Sequence, residues 1–107
     1  MSWRAVLEDR CRLGGLKEAS LTVYLSCGSL FEDWLKVSLD DLISGDSQTA
    51  SNLIGEYVNG YLRSASESYR RSVLKHLSAI FRLCGRLLLV RPSAVLSGLQ
   101  HSQNLVR

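Results

Sequence analysis

Apolar residues recur every three or four positions along most of this 107-residue chain, and this spacing is the feature that most restricts its fold. Because an α-helix has about 3.6 residues per turn, the spacing places apolar side chains on one face of each helix. The alternation typical of strands is missing over any useful length, and the single proline is Pro92. The sequence therefore predicts an all-α fold, a compact bundle of four main helices over residues 1–99. Residues 100–107 are expected to form a flexible tail.

Capping residues and glycines predict where these helices begin and end. Ser2 and Ser66 precede apolar periodic segments and are expected to cap them, whereas Gly14 and Gly15 end the first helix. Gly28, inside the second helix, predicts either close packing or a bend. We expect the main helices at residues 2–13, 20–36, 47–64 (with 49 as an alternative start) and 66–88, a short turn near 39–43, and a short helix at 93–99.

Composition and cysteine spacing exclude several classes of protein. Hydrophobic residues make up 46% and charged residues 21%, which is typical of a globular domain. The three cysteines are far apart in sequence, so neither a disulfide scaffold nor a zinc site is predicted, and no other metal or cofactor is expected. The chain shows neither a leader peptide nor an apolar run long enough to cross a bilayer. We therefore expect a cytoplasmic protein with no membrane partner.

Charge is distributed unevenly along the chain. Residues 1–60 hold five basic and nine acidic residues, whereas residues 61–91 hold seven basic residues and one acidic residue, Glu67. On the fourth helix, Arg71, Lys75 and Arg82 share one broad face at the spacing i, i+4 and i+11. A basic face of this kind favours a polyanionic partner such as DNA or RNA. The alternative is that these residues form an ordinary solvated helix face.

Catalytic residues are scarce. The histidines are His76 and His101, and no nucleophile, histidine and acid can be combined from their spacing. Arg71 and His76 have the Arg-x4-His spacing of the HEPN ribonucleases, which leaves an RNA-cleaving helical protein as one alternative. Another alternative is a protein–protein interaction module from a mobile element, which would self-associate through an exposed apolar patch.

Two stretches resemble a known family. Ser20-Leu-Thr-Val-Tyr24 is followed by Phe31, Trp34 and Leu35, and the segment from Ser66 to Phe81 continues with Leu74, Leu77 and Ile80 at helical spacing. This pattern resembles the N-terminal core-binding domain of tyrosine recombinases, including phage integrases. The resemblance covers about residues 3–97. Tyr69 replaces the usual Thr, Arg91 replaces the usual Asn before Pro, and the segment from Phe81 to Pro92 is about two residues short.

The resemblance implies a SAM-like helical fold that binds double-stranded DNA as one half of a clamp, with a role in DNA recombination or integration. It implies no strand cleavage by this chain itself, because the residues of the family's catalytic domain have no counterpart here, and therefore no enzyme activity. A recombinase catalytic domain or a second copy would be a further partner. The residues expected to contact DNA lie on the second and fourth helices: Ser20, Thr22, Ser66, Ser68, Tyr69, Arg70, Arg71 and Lys75.

Overall fold

The computed structural model describes residues 2–86, which contain five α-helices, one π-helical turn and no strand. This confirms the predicted all-α class. The predicted short helix at 93–99 and the tail at 100–107 lie outside the described residues. In chain order the elements are α1 (Trp3–Arg12), α2 (Glu18–Leu35), α3 (Leu39–Ser44), α4 (Ser47–Glu56), the π-helical turn (Tyr57–Tyr61) and α5 (Glu67–Leu83).

Serine caps begin the first and last of these helices, as the sequence predicts. Ser2 Oγ accepts a hydrogen bond from the Ala5 backbone N–H at 3.2 Å, and Ser66 Oγ accepts one from the Tyr69 N–H at 3.1 Å. Each bond satisfies one of the backbone donors left unpaired at a helix start. In contrast, α2 begins at Glu18, two residues before the prediction, and its N-cap residue Lys17 makes no side-chain capping bond.

The end of α5 is set by Gly85. The prediction that this helix continues to about residue 88 is wrong, because it ends at Leu83. Gly85 has a φ of 82°, a left-handed conformation that glycine adopts without steric cost. The Gly85 N–H donates to the Arg82 carbonyl at 3.0 Å, and the Arg86 N–H donates to the Phe81 carbonyl at 2.9 Å. These two bonds form a Schellman motif, which terminates the helix.

One hydrophobic core joins all the helices. Its fully buried large side chains include Trp3, Leu7, Phe31, Leu39, Ile54, Val58, Leu74, Leu77, Ile80 and Phe81. Burying an apolar side chain of this size contributes about 1.5–3 kcal/mol, so these residues supply the main stabilisation of the fold. No helix within residues 2–86 has both the length and the apolar character needed to cross a membrane.

Gly28 produces close packing between α1 and α2. A Cβ atom at this position would lie 2.4 Å from Trp3 Cη2, well inside van der Waals contact. The Trp3 ring therefore occupies the space that any other side chain on α2 would need. The sequence left close packing and a bend as alternatives for Gly28, and the structure shows close packing.

A polar junction around Glu32 connects α1, α2 and α3, and is called the Glu32 junction below. The Glu32 carboxylate accepts hydrogen bonds from Trp3 Nε1 at 3.1 Å, Arg4 Nη2 at 2.6 Å and the Leu39 backbone N–H at 2.6 Å. Beside it, Asp40 Oδ1 accepts from the Trp3 backbone N–H at 2.6 Å. Burial tends to raise the pKa of Glu32, but the bonds from Leu39, Arg4 and Trp3 and the charge of Arg4 outweigh it and lower the pKa.

Candidate nucleic-acid interface

Three basic side chains on α5 form one exposed surface, called the basic face. It consists of Arg71, Lys75 and Arg82, all of which are exposed. Successive helical residues are rotated by about 100°, so the three lie within about 40° of one another around the helix axis. Arg71 Nη2 also contacts Glu67 Oε1 at 2.9 Å, an exposed pair of the kind that contributes little stability. The predicted convergence of these three side chains on one side of the helix is therefore present in the fold.

Arg70 and Arg71 point in different directions. Arg70 lies on the same side of α5 as the buried Leu74 and Leu77, and it is itself half-buried. Its Nε and Nη1 atoms are buried and make no hydrogen bond to any described residue. The sequence assigned both arginines to the DNA surface, whereas the structure places Arg71 on the exposed basic face and Arg70 largely against the core.

The serines that begin α5 also differ in position. Ser66 is exposed, but its hydroxyl oxygen already accepts the capping bond from the Tyr69 N–H. Ser68 is exposed and lies seven residues before Lys75, a spacing that puts both on the same side of the helix. Ser68 therefore extends the basic face towards the start of α5.

Helices α2 and α5 lie side by side and run in opposite directions. The Cys27 thiol donates to the Val73 carbonyl at 3.9 Å, and the rings of Tyr24 and His76 contact each other with centroids 5.5 Å apart. A depression of about 370 Å³ opens between the two helices. One side is formed by Thr22, Val23, Ser26, Cys27 and Leu30, the other by Tyr69, Ser72, Val73 and His76, with Tyr57 also in the lining.

This depression is the centre of a longer furrow. It shares Val23 and His76 with a depression at one end, and it shares Leu30 and Tyr57 with a depression at the other end. The furrow follows α2 over nearly its whole length, about 25 Å at 1.5 Å per residue. The end depressions add Ala19, Ser20, Tyr24 and Lys75 on one side and Asp33, Trp34, Lys36 and Tyr61 on the other. We call the whole feature the aromatic furrow.

The furrow brings predicted DNA-contact residues from two helices together. Thr22 and Tyr69 line its central depression, and Ser20 and Lys75 line one of its ends. The family resemblance implied that these residues contact DNA, but it did not indicate that those on the second and fourth helices lie together. In the fold, Lys75 belongs to both the furrow and the basic face, so the two surfaces adjoin.

Aromatic rings occur along the whole furrow. At one end the π-helical turn is closed by a hydrogen bond from the Leu62 N–H to the Tyr57 carbonyl at 2.9 Å, five residues back. The wider turn stacks Tyr57 on Tyr61 with centroids 5.5 Å apart, and both rings contact Trp34 at 5.2 and 6.2 Å. Tyr69, His76 and Tyr24 continue the series towards the other end. Tyr61 and Tyr69 are 63% and 47% exposed, so part of each ring is open to a ligand.

Burial favours the uncharged forms of three titratable groups in the central part of the furrow, Tyr57, Cys27 and His76. Burial raises the pKa of Tyr57 to about 12 and that of the Cys27 thiol to about 11. Burial, with the charge of Lys75, lowers the pKa of His76. The Cys27 thiol is therefore not in the thiolate form that acts as a nucleophile, and His76 offers a neutral ring. The walls of the furrow are suited to apolar and stacking contacts.

The structure does not bring Arg71 and His76 together. Five residues along a helix correspond to a rotation of about 140°, so their side chains leave α5 in different directions. His76 contacts Tyr24, whereas Arg71 contacts Glu67 on the exposed side. The Arg-x4-His spacing thus does not assemble an arginine and a histidine around one point within this chain.

The furrow was not predicted from the sequence. Its residues form a second row along each helix, beside the row of buried core residues. Val23 and Leu30 are seven residues apart on α2, and Tyr69 and His76 are seven apart on α5. This spacing was available in the sequence and indicates one helix face in each case. It gave no indication that the two faces would meet with an opening between them.

When compared with models of protein families, with curated proteins and with solved structures, the chain matches none of them. The likeness to the core-binding domain of tyrosine recombinases therefore stays a prediction. Among residues 2–86, no group of three or more histidine, cysteine, aspartate or glutamate side chains is arranged to hold a metal ion.

Proposed function

We propose that this chain is a double-stranded DNA-binding domain that uses the basic face of α5 against the phosphate backbone. The observation that carries the proposal is the position of Arg71, Lys75 and Arg82 on one exposed side of a single helix. A straight row of cations about 16 Å long can follow several phosphates of a duplex. The proposal assigns DNA binding to the chain and no strand cleavage.

Two further observations support a polyanionic ligand at this face. Glu67 is the single acidic residue among residues 61–86, and it lies at the start of α5, contacting Arg71 at the surface. The hydroxyl of Ser68 adds a hydrogen-bond donor beside Lys75. Contacts of this type fix a protein on the duplex without reading its sequence, so we expect modest affinity and little base specificity from this face alone.

The likeness to the tyrosine recombinase core-binding domain supports the same proposal from an independent direction. Residues that it implies as DNA contacts on α2 and α5, Thr22, Tyr69 and Lys75 among them, lie on adjoining surfaces of the fold. In this proposal the domain would cover one side of a duplex as a clamp half. A recombinase catalytic domain or a second copy of the chain would be its protein partner.

The salt dependence of binding tests the proposal. Fluorescence anisotropy with a labelled random 30-base-pair duplex should give a slope of log K against log salt concentration of about −2.7, at about −0.9 for each of three phosphates. The double variant Arg71→Ala/Lys75→Ala should retain the helical circular dichroism spectrum and reduce the slope to about −0.9.

A matched control removes two positive charges elsewhere. Arg10 and Arg12 lie on α1, whose exposed side also holds Glu8. The variant Arg10→Ala/Arg12→Ala has the same net charge as the test variant but should keep the slope near −2.7. Equal slopes for the two variants would show that net charge alone governs binding, and no binding of the native chain at low salt would exclude the proposal.

A further inference from the structure

We propose that the aromatic furrow binds a single, unpaired DNA strand, with bases stacked on its exposed rings. This inference rests on the proposed function, because Lys75 belongs to both surfaces. It adds a second form of DNA and a second site. Proteins that hold single strands combine aromatic platforms with positive charge along a groove. The furrow has both features.

Most of the aromatic side chains of the protein line the furrow. Tyr24, Tyr57, Tyr61 and Tyr69 are the four tyrosines of the chain, and all four line it, as do Trp34 and His76. Stacking of a base on such a ring contributes about 1–3 kcal/mol by alanine substitution, whichever base is bound. Tyr61 and Tyr69 are 63% and 47% exposed, so a base can reach them without displacing core residues.

Charge and hydrogen-bonding groups are distributed as a single strand requires. Lys75 lies at one end of the furrow and Lys36 at the other, where each can face a phosphate of a strand laid along it. Thr22, Ser26 and Ser72 place hydroxyl groups between the two ends. Asp33 is the acidic residue at the Lys36 end, where its carboxylate can accept a hydrogen bond from a base amino group.

The dimensions of the furrow favour a single strand over a duplex. Its length of about 25 Å has room for roughly four to seven nucleotides, depending on how far they are unstacked. The bottom of the furrow lies between the two packed helices. In a duplex, the faces of a paired base are covered by the neighbouring bases of the stack. An unpaired base has a free face for Tyr69 or Tyr61.

Binding of 5′-labelled dT12 to the full chain provides the test, with intrinsic fluorescence as a second readout. The chain has two tryptophans: Trp3 is 1% exposed, and Trp34 lines the furrow. We expect dT12 to raise the anisotropy of the label and to quench Trp34. The Trp34→Phe variant keeps an aromatic ring and should lose the quenching, since Trp3 is shielded.

Substitution of Tyr69 locates the site. Tyr69→Leu keeps an apolar side chain but removes the stacking ring, and it should weaken dT12 binding by at least about fivefold. The control is Leu13→Ala, which truncates a side chain that is 75% exposed and does not line the furrow. The control should bind dT12 as the native chain does, and Tyr69→Leu should weaken binding of dT12 more than binding of the 30-base-pair duplex, which depends mainly on the basic face.

The outcomes separate the two proposals. Duplex binding without any dT12 binding would overturn the furrow inference and leave the basic face in place. Binding of dT12 that Tyr69→Leu does not weaken would also overturn it. Self-association measured by light scattering, insensitive to salt and abolished by Tyr69→Leu, would show that a second copy occupies the furrow instead.

Discussion

The two tryptophans lie on different sides of α2 in contrasting environments: Trp3, from α1, packs against this helix, whereas Trp34 belongs to it. Trp3 is 1% exposed, its Nε1–H donates to Glu32, and its ring fills the space above Gly28. Trp34 is partly exposed and contacts three other aromatic rings at the mouth of the furrow. On the Trp3 side the ring is buried and hydrogen-bonded. On the Trp34 side, part of the ring surface is exposed to solvent. The first arrangement holds helices together, and the second can be completed by a ligand.

The largest loss of stability is expected from a substitution on the Trp3 side of α2. Gly28→Ala places a Cβ atom 2.4 Å from Trp3 Cη2, in a ring that is 1% exposed and is held by the bond from its Nε1–H to Glu32. We expect overpacking to lower the free energy of unfolding by about 2–3 kcal/mol, measured by urea denaturation. Gly55→Ala is the matched control, because nothing lies within 4 Å of a Cβ there and alanine favours helix by up to about 1 kcal/mol. Similar stability of the two variants would contradict close packing at Gly28.

A smaller effect is expected from the Glu32 junction, and it should depend on pH. Glu32→Gln keeps the shape but removes the charge that accepts bonds from Arg4, Trp3 and Leu39, and should cost about 1–2 kcal/mol at pH 7. Because folding lowers the pKa of Glu32, its contribution is present above pH 4.5 and is lost as the pH falls through the folded value.

The measurement compares denaturation of the native chain and Glu32→Gln between pH 7 and pH 3. The native chain should lose more stability on acidification, so that the two curves converge at low pH. Asp33→Asn, a change to the neighbouring exposed carboxylate, should change stability by less than about 0.5 kcal/mol. Parallel curves for the native chain and Glu32→Gln would show that this carboxylate does not stabilise the junction.

The smallest loss of stability is expected from a substitution on the Trp34 side of α2. Tyr61→Ala removes a ring that is 63% exposed and stacks on Tyr57. The loss should be about 0.5–1 kcal/mol, the usual contribution of an aromatic pair. A loss as large as that from Gly28→Ala, again by urea denaturation, would mean that the furrow is part of the structural core and would remove the contrast between the two sides of α2.

Local chemistry made much of the fold predictable. Apolar periodicity predicted the all-α class, and Ser2 and Ser66 predicted the starts of α1 and α5, because each signal acts within one helical turn. The start of α2 was missed because Lys17 forms no side-chain cap that a sequence could reveal. The end of α5 was misplaced because Gly85 lies among residues that otherwise continue the helical pattern.

The candidate site was less predictable, since it depends on how helices meet. The basic face could be predicted from the spacing on α5 alone. Arg70 could not be separated from Arg71 by residue type, only by its position on the core-facing side of the helix. The π-helical turn and the opening between α2 and α5 depend on tertiary packing, for which adjacent residues carry no local signal.

The π-helical turn also makes the furrow dependent on the length of the chain. A π turn contains one residue more than an α turn. If one of residues 57–61 were deleted, the segment could close as a regular α-helix, and the side chains beyond the deletion would rotate by about 100°. Tyr61 would then leave its place beside Trp34 and Tyr57. A related chain one codon shorter at this point could keep all five α-helices and still lack the Tyr61 ring at this end of the furrow.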